Sequence, residues 1–116
     1  MKQQTPMQTP NVLYEIGKER QRQIDEEGHT PRDDDELDAG ELAEAASAYC
    51  LASVDWQEGS DQTPDQYQPD PWAFADSDWK PENPRRDLVR AGALIVAEIE
   101  RLDRLAAKPK QLEEED

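Results

Sequence analysis

Cysteine and histidine occur once each in this chain of 116 residues, glycine five times, and aromatic side chains make up only 6% of it, so any place where rings gather is informative. The lone Cys50 cannot close an intramolecular disulfide. No apolar run approaches the roughly 20 residues needed to cross a bilayer. The opening "MKQQTPMQTP" also lacks the apolar segment of a signal peptide, so a cytoplasmic protein without membrane contact is expected. Positive charge is short too: 13 basic residues face 28 acidic ones, for a formal net charge of −15. Such a field repels phosphate backbones and anionic lipid, and direct nucleic-acid binding is not expected. A hydrophobic content of 34% leaves a modest core, which suits one domain.

What is present is a mainly α pattern: three principal helices and a long aromatic, proline-rich crossover loop. The polar stretches 1–9 and 108–116 have little to bury and read as flexible tails around a single helical domain over 10–107. The spacing predicts a first helix from Pro10 or Asn11 to about Glu27, with Thr9 as N-cap and Gly28 as the stop. Its apolar stripe, Val12, Leu13, Ile16 and Ile24, is thin and is broken at Arg20. A second helix is predicted from Asp38, with Asp38 as N-cap and Glu41 at N3 in a variant of the capping box. Leu42, Ala45, Ala46, Tyr49 and Ala52 share one face of it, and Cys50 reads as a buried, inert thiol. The third helix starts at Asn83-Pro84, a cap followed by proline, and runs to about Ala107. Leu88, Ala91, Gly92, Ile95, Ile99, Leu102 and Ala106 form its stripe, the longest in the chain, sufficient for a homo-oligomer as well as an intramolecular core.

Between the second and third helices runs "DWQEGSDQTPDQYQPDPWAFADSDWKPENP", far longer than a usual connection. It holds Trp56, Tyr67, Trp72, Phe74 and Trp79, five of the seven aromatic residues, with five prolines. Flexible linkers seldom carry so many rings. An ordered loop can bury some against the helices and leave others to stack on a ligand. Close by, "KPENPRRDLVRAG" places Lys80, Arg85, Arg86 and Arg90 around the start of the third helix, where free backbone N–H groups and guanidinium forks suit phosphate or carboxylate. The competing reading pairs these arginines with Asp33, Asp34, Asp35 or Asp87 inside the protein.

Carboxylates supply the other pattern. Glu41 and Glu44 stand at the i, i+3 spacing that lets two oxygens converge on a hard cation such as magnesium, as Glu15 and Glu19 do at i, i+4; Asp87 and Glu98 are further contributors from the third helix. Zinc has only His29 and Cys50 as nitrogen and sulfur ligands and would need carboxylates to complete a site. The aspartates of "PRDDDEL" equally serve as caps and as complements to a helix dipole.

The paired helical carboxylates resemble those of the MazG-type nucleotide pyrophosphohydrolases. The chain departs from their pattern, since Asp87 lies far beyond Glu44 and Pro84 occupies the position three before it. More extensively, "ERQRQIDEEG", "DD", "GELAEAASAY" and "WKPENPRRDLVRAGALIVAEIERLDR", in blocks spanning residues 19–104, resemble a widespread group of small phage and prophage proteins of unassigned role. Where that group has tryptophan after the glycine, this chain has His29, and where it has a "WPW" element this chain reads "DPWAF". The resemblance implies an accessory protein in a viral or prophage setting, in the host cytoplasm.

Three functions follow. The leading one is a non-catalytic module binding a nucleotide-like anionic ligand without a cofactor, the base on Trp72 and Trp79 and the phosphate on Lys80, Arg85, Arg86 and Arg90. An alternative is a magnesium-dependent pyrophosphohydrolase with Glu41 and Glu44 on the metal. Another is an acidic, DNA-mimicking inhibitor of a host protein, steered by Asp33, Asp34, Asp35 and Glu36.

Overall fold

A computed structural model describes residues 4–59 and 61–109, so the outermost residues of both proposed tails lie outside the described part. Four helices follow in order: α1 (Gln4–Glu27), α2 (Pro31–Asp34), α3 (Glu41–Glu58) and α4 (Pro84–Ala107), with short 3-10 turns at Pro64–Gln66 and Asp76–Asp78 in the crossover and no strand among the described residues. The mainly α reading, with three long helices and an aromatic loop, therefore holds. α4 is the central element, packed against α3 along most of its length and against α1 and α2 elsewhere.

Local chemistry explains most boundaries. Asn83 caps α4, its side chain accepting the Arg86 N–H at 2.8 Å, and Pro84 occupies the first turn, where its missing donor costs nothing. α1 stops at Gly28, whose φ of +79° is left-handed. Its start differs from the expected one: the helix continues through Pro10 back to Gln4, so Thr9 does not cap it. Proline forfeits one intrahelical hydrogen bond, which a helix of 24 residues absorbs. α3, in contrast, begins later than expected, at Glu41 with left-handed Gly40 as its cap. The Glu41 carboxylate accepts the N–H of Ala39, at 2.9 Å, in place of a capping box with Asp38.

The core is small in volume and rich in alanine. Leu42, Ala45, Ala46, Tyr49 and Ala52 of α3, the face read from the sequence, are all buried, and the first four cluster with Ala91, Leu94 and Ala97 of α4. Methyl-sized side chains let the two helices approach closely. Leu37, Trp72, Phe74 and Trp79 cover the edges of this cluster, so the crossover loop completes the core. Cys50 is exposed on α3, not buried as expected, because it lies outside that alanine face.

Two stripes behave differently from expectation. On α4, Leu88, Ile95, Ile99 and Leu102 are exposed, although Ala91 of the same predicted stripe is buried. On α1, Val12 and Leu13 face outward while Glu19, Arg20 and Gln23 are buried. α1 is thus seated largely by polar contacts. The Arg20 guanidinium bonds Asp34 at 3.1 Å, Glu100 at 3.3 Å and the His29 carbonyl at 2.9 Å. Burial pushes the Asp34 carboxyl up, against the pull of Arg20, His29 and Arg104.

Candidate functional site

Five residues of α1 at helical spacing, Glu19, Arg22, Gln23, Glu26 and Glu27, make a polar stripe where a core helix would carry leucines. Four of them, all but Glu26, line a cleft whose other walls are His29, Tyr49, Trp72, Phe74 and, from α4, Arg90 and Leu94. Rings form one side. Trp72 meets Tyr49 edge-on at 6.1 Å and Phe74 at 5.8 Å, and His29 meets Phe74 at 5.1 Å. The free space inside is about 10 Å³, room for one water.

Charged groups form the other side. Glu19 is the hub: Arg22 donates to both its oxygens at 2.9 Å, Gln23 adds its amide N–H at 3.1 Å, and Arg86 bonds it from α4. Burial alone would raise the Glu19 carboxyl. The Arg22 hydrogen bond and charge, the Arg86 charge and the Gln23 amide outweigh it and hold that carboxyl below its ordinary value. Arg22 also reaches Glu27 at 2.6 Å, and Glu27 in turn meets the Lys80 ammonium at 3.4 Å. Arg90 pairs with Glu82 at 2.8 Å and lies over the Tyr49 ring, 5.9 Å from its centre.

Two residues of this lining each carry a buried side-chain atom with no hydrogen-bond partner among the described residues: Gln23 at Oε1 and Arg90 at Nη1, both side chains being more than nine-tenths buried. Asp87 Oδ1 is 3.6 Å from Arg90 Nη1, beyond bonding distance. One orphan accepts and the other donates. The carboxylate of Asp87 is instead held by the Trp56 indole N–H at 2.8 Å and the Glu82 N–H at 2.9 Å. Burial raises its pKa against those bonds and against Arg90.

Glu19 and Arg22 also border a second, open trough of about 280 Å³, completed by Glu15, Lys18 and Arg86. A ring-walled closed end and a cationic open end therefore share two residues. The loop is anchored beside them by Tyr49, whose hydroxyl donates to the Asp78 carbonyl at 3.1 Å and accepts the Lys80 N–H at 3.0 Å. Burial, the leading cause, pushes the Tyr49 phenol up to about 12.

The residues expected to bind a ligand distribute unevenly over this site. Trp72 and Arg90 line the cleft, Lys80 meets its carboxylate Glu27, and Arg86 lines the adjoining trough. Trp79 stacks near Tyr49, at 4.8 Å, with its indole N–H on the Pro64 carbonyl, so it packs on the edge of the core and does not line the cleft. Arg85 points outward to a bidentate pair with Glu15 at 2.8 Å. Glu41 and Glu44 sit in the first turn of α3, and among the described residues no three His, Cys, Asp or Glu side chains gather as a metal-holding group. The aspartate run is divided: Asp34 is fully buried on Arg20, and Asp35 pairs with Arg104 at 2.8 Å. Sequence reasoning missed Arg22, Gln23 and Glu27, although polar residues at three- and four-residue spacing were a legible signal, and it read His29 only as a zinc ligand and Tyr49 only as part of a helix face.

No helix among the described residues is long and apolar enough to cross a membrane. No family model, curated protein or solved structure matches the chain.

Proposed function

We propose that this chain is a non-catalytic binding module for a small, planar, anionic ligand of nucleotide type, in the accessory setting of the phage and prophage proteins whose sequence blocks it resembles. The observation that carries this reading is that two residues lining one ring-walled cleft, Gln23 and Arg90, each hold a buried polar atom, Oε1 and Nη1, without a partner among the described residues. An edge offering an N–H beside an oxygen or ring nitrogen satisfies both, and nucleobases present such edges. Phosphate oxygens would sit in the open trough, on Lys18, Arg22 and Arg86. Because the cleft itself has room for only one water, the base enters by displacing the half-buried Trp72 and Phe74, which then stack on it. Neither the magnesium reading nor the DNA-mimic reading has a comparable observation in its favour.

Titration calorimetry of the full chain against nucleoside mono-, di- and triphosphates, with inorganic phosphate and pyrophosphate as controls, tests it. Trp72→Ala should weaken the best ligand about 10- to 100-fold, the range for loss of one base–aromatic stack. Gln23→Leu should weaken nucleotides but leave pyrophosphate unchanged, and Arg85→Ala should leave both unchanged. Absence of any nucleotide binding to the folded wild-type chain would reject the reading.

A further inference from the structure

We propose that the groove between α3 and residues 67–71 receives an extended basic segment of a protein partner. Charge is segregated along the chain: residues 33–79 hold 14 of the 28 acidic residues and none of the 13 basic ones, so nearly the whole net charge of −15 lies there. Asp34 and Asp35, at the start of that stretch, are neutralised by Arg20 and Arg104. Further along, α3 and the loop enclose a groove of about 450 Å³, within the range of sites that take a ligand. Glu44 and Asp55 of α3 and Asp70 of the loop line it, with no lysine, arginine or histidine beside them. None of the three has an ion-pair partner among the described residues, whereas Glu15, Glu19 and Glu27 of α1 are each paired with a cation.

The walls suit the same occupant. Leu51, Tyr67 and Pro69 give the groove apolar sides, on which the methylene stems of lysine and arginine pack while their charged ends reach the carboxylates. Tyr67 is fixed in the wall: its hydroxyl donates to Asp55 Oδ2 at 2.6 Å and its ring stacks on Trp79 at 6.2 Å, which leaves the second Asp55 oxygen for a cation. Glu44 and Asp55 stand eleven residues apart on one helix, about 16 Å, the span of roughly five residues of extended chain. Basic side chains near both ends of such a segment meet both carboxylates, and Asp70 takes a further donor on the loop side. Exposed Asp38, Asp61 and Asp76 extend the negative field beyond the groove, where it steers a partner larger than the groove itself. Nucleic acids and membrane surfaces are anionic, so the basic macromolecule that fits is a protein. The groove shares no lining residue with the ring-walled cleft, and the proposal stands apart from the nucleotide reading.

Fluorescence anisotropy of the full chain with a panel of labelled five-residue peptides tests it, each with lysine or arginine at both ends and leucine, valine or proline between. At least one should bind, and the same sequence with glutamate at both ends should not. Glu44→Gln with Asp70→Asn should weaken the best peptide about 10-fold, as for the loss of two exposed charge pairs. Asp38→Asn with Asp61→Asn removes as much charge outside the groove and should change affinity by less than about 2-fold. Leu51→Ser, at a position 63% exposed and so harmless to the fold, should weaken binding about 5-fold through lost apolar contact. No binding by any peptide of the panel, an equal loss from the two charge-removing pairs, or spermine bound as tightly as the best peptide would each overturn the proposal.

Discussion

Tyr49→Phe isolates one of the two hydroxyls that fasten the aromatic loop to α3, the other being that of Tyr67 on Asp55 at 2.6 Å. The substitution keeps the ring, its contacts with Trp72 and Trp79 and its place in the core, and removes only the bonds to the Asp78 carbonyl and the Lys80 N–H. Each lost bond leaves a backbone group without its protein partner. Both groups lie at a partly buried edge where water can partly replace the hydroxyl, so the cost falls near the low end of the usual range, about 1 kcal/mol per bond and about 2 kcal/mol together. For a chain of this size that corresponds to a Tm lower by about 8 °C. Hydrogen exchange gives a local readout: the Lys80 amide should exchange roughly 30-fold faster, the factor equivalent to about 2 kcal/mol. Tyr49→Ala, which also deletes the ring, should cost at least about 3 kcal/mol. A Tyr49→Phe chain with an unchanged Tm and an unchanged Lys80 amide would refute the claim that this hydroxyl helps to anchor the loop.

The same hydroxyl predicts an alkaline transition. In the unfolded chain a tyrosine loses its proton near pH 10, whereas the folded Tyr49 holds it to about 12, so stability present below pH 10 is lost as pH rises from 10 to 12. The loss amounts to roughly 3 kcal/mol, and denaturant midpoints across that range should fall, with Tyr49→Phe showing a smaller fall. Asp34→Ala should destabilise by about 3 kcal/mol, because it strips a buried guanidinium of its charge partner; Arg20 keeps Glu100 and the His29 carbonyl, which limits the loss. A urea midpoint unchanged in Asp34→Ala would show that the Arg20–Asp34 pair does not seat α1.

What the sequence disclosed depended on how local the responsible physics was. The limits of α4 were legible because Asn83, Pro84 and the residues after Ala107 act within one turn. The buried face of α3 was legible because Leu42, Ala45, Ala46, Tyr49 and Ala52 recur at three- and four-residue steps. On α4 the size of Ile and Leu pointed to the wrong face: close helix packing selects alanines, so Ala93 and Ala97 are buried and Ile95 and Ile99 are not. On α1 a search for apolar periodicity passed over a periodic polar stripe. For the site, the meeting of Trp72 with Arg90 could be anticipated from their closeness in sequence. The share of α1 could not, since Glu19 and Arg86 are brought together only by the tertiary packing of two helices 67 residues apart in the chain.

An element held in place mainly by ion pairs has an unusual thermal character. Releasing α1 from the rest of the molecule uncovers little oily surface, so it should absorb little extra heat capacity, well under the approximately 12–15 cal/mol/K per residue typical of globular unfolding. The attraction between its charges also weakens less on warming than the cost of drying them does. α1 should therefore hold on comparatively well near the melting temperature, and what loosens first on heating should be the ring-lined loop.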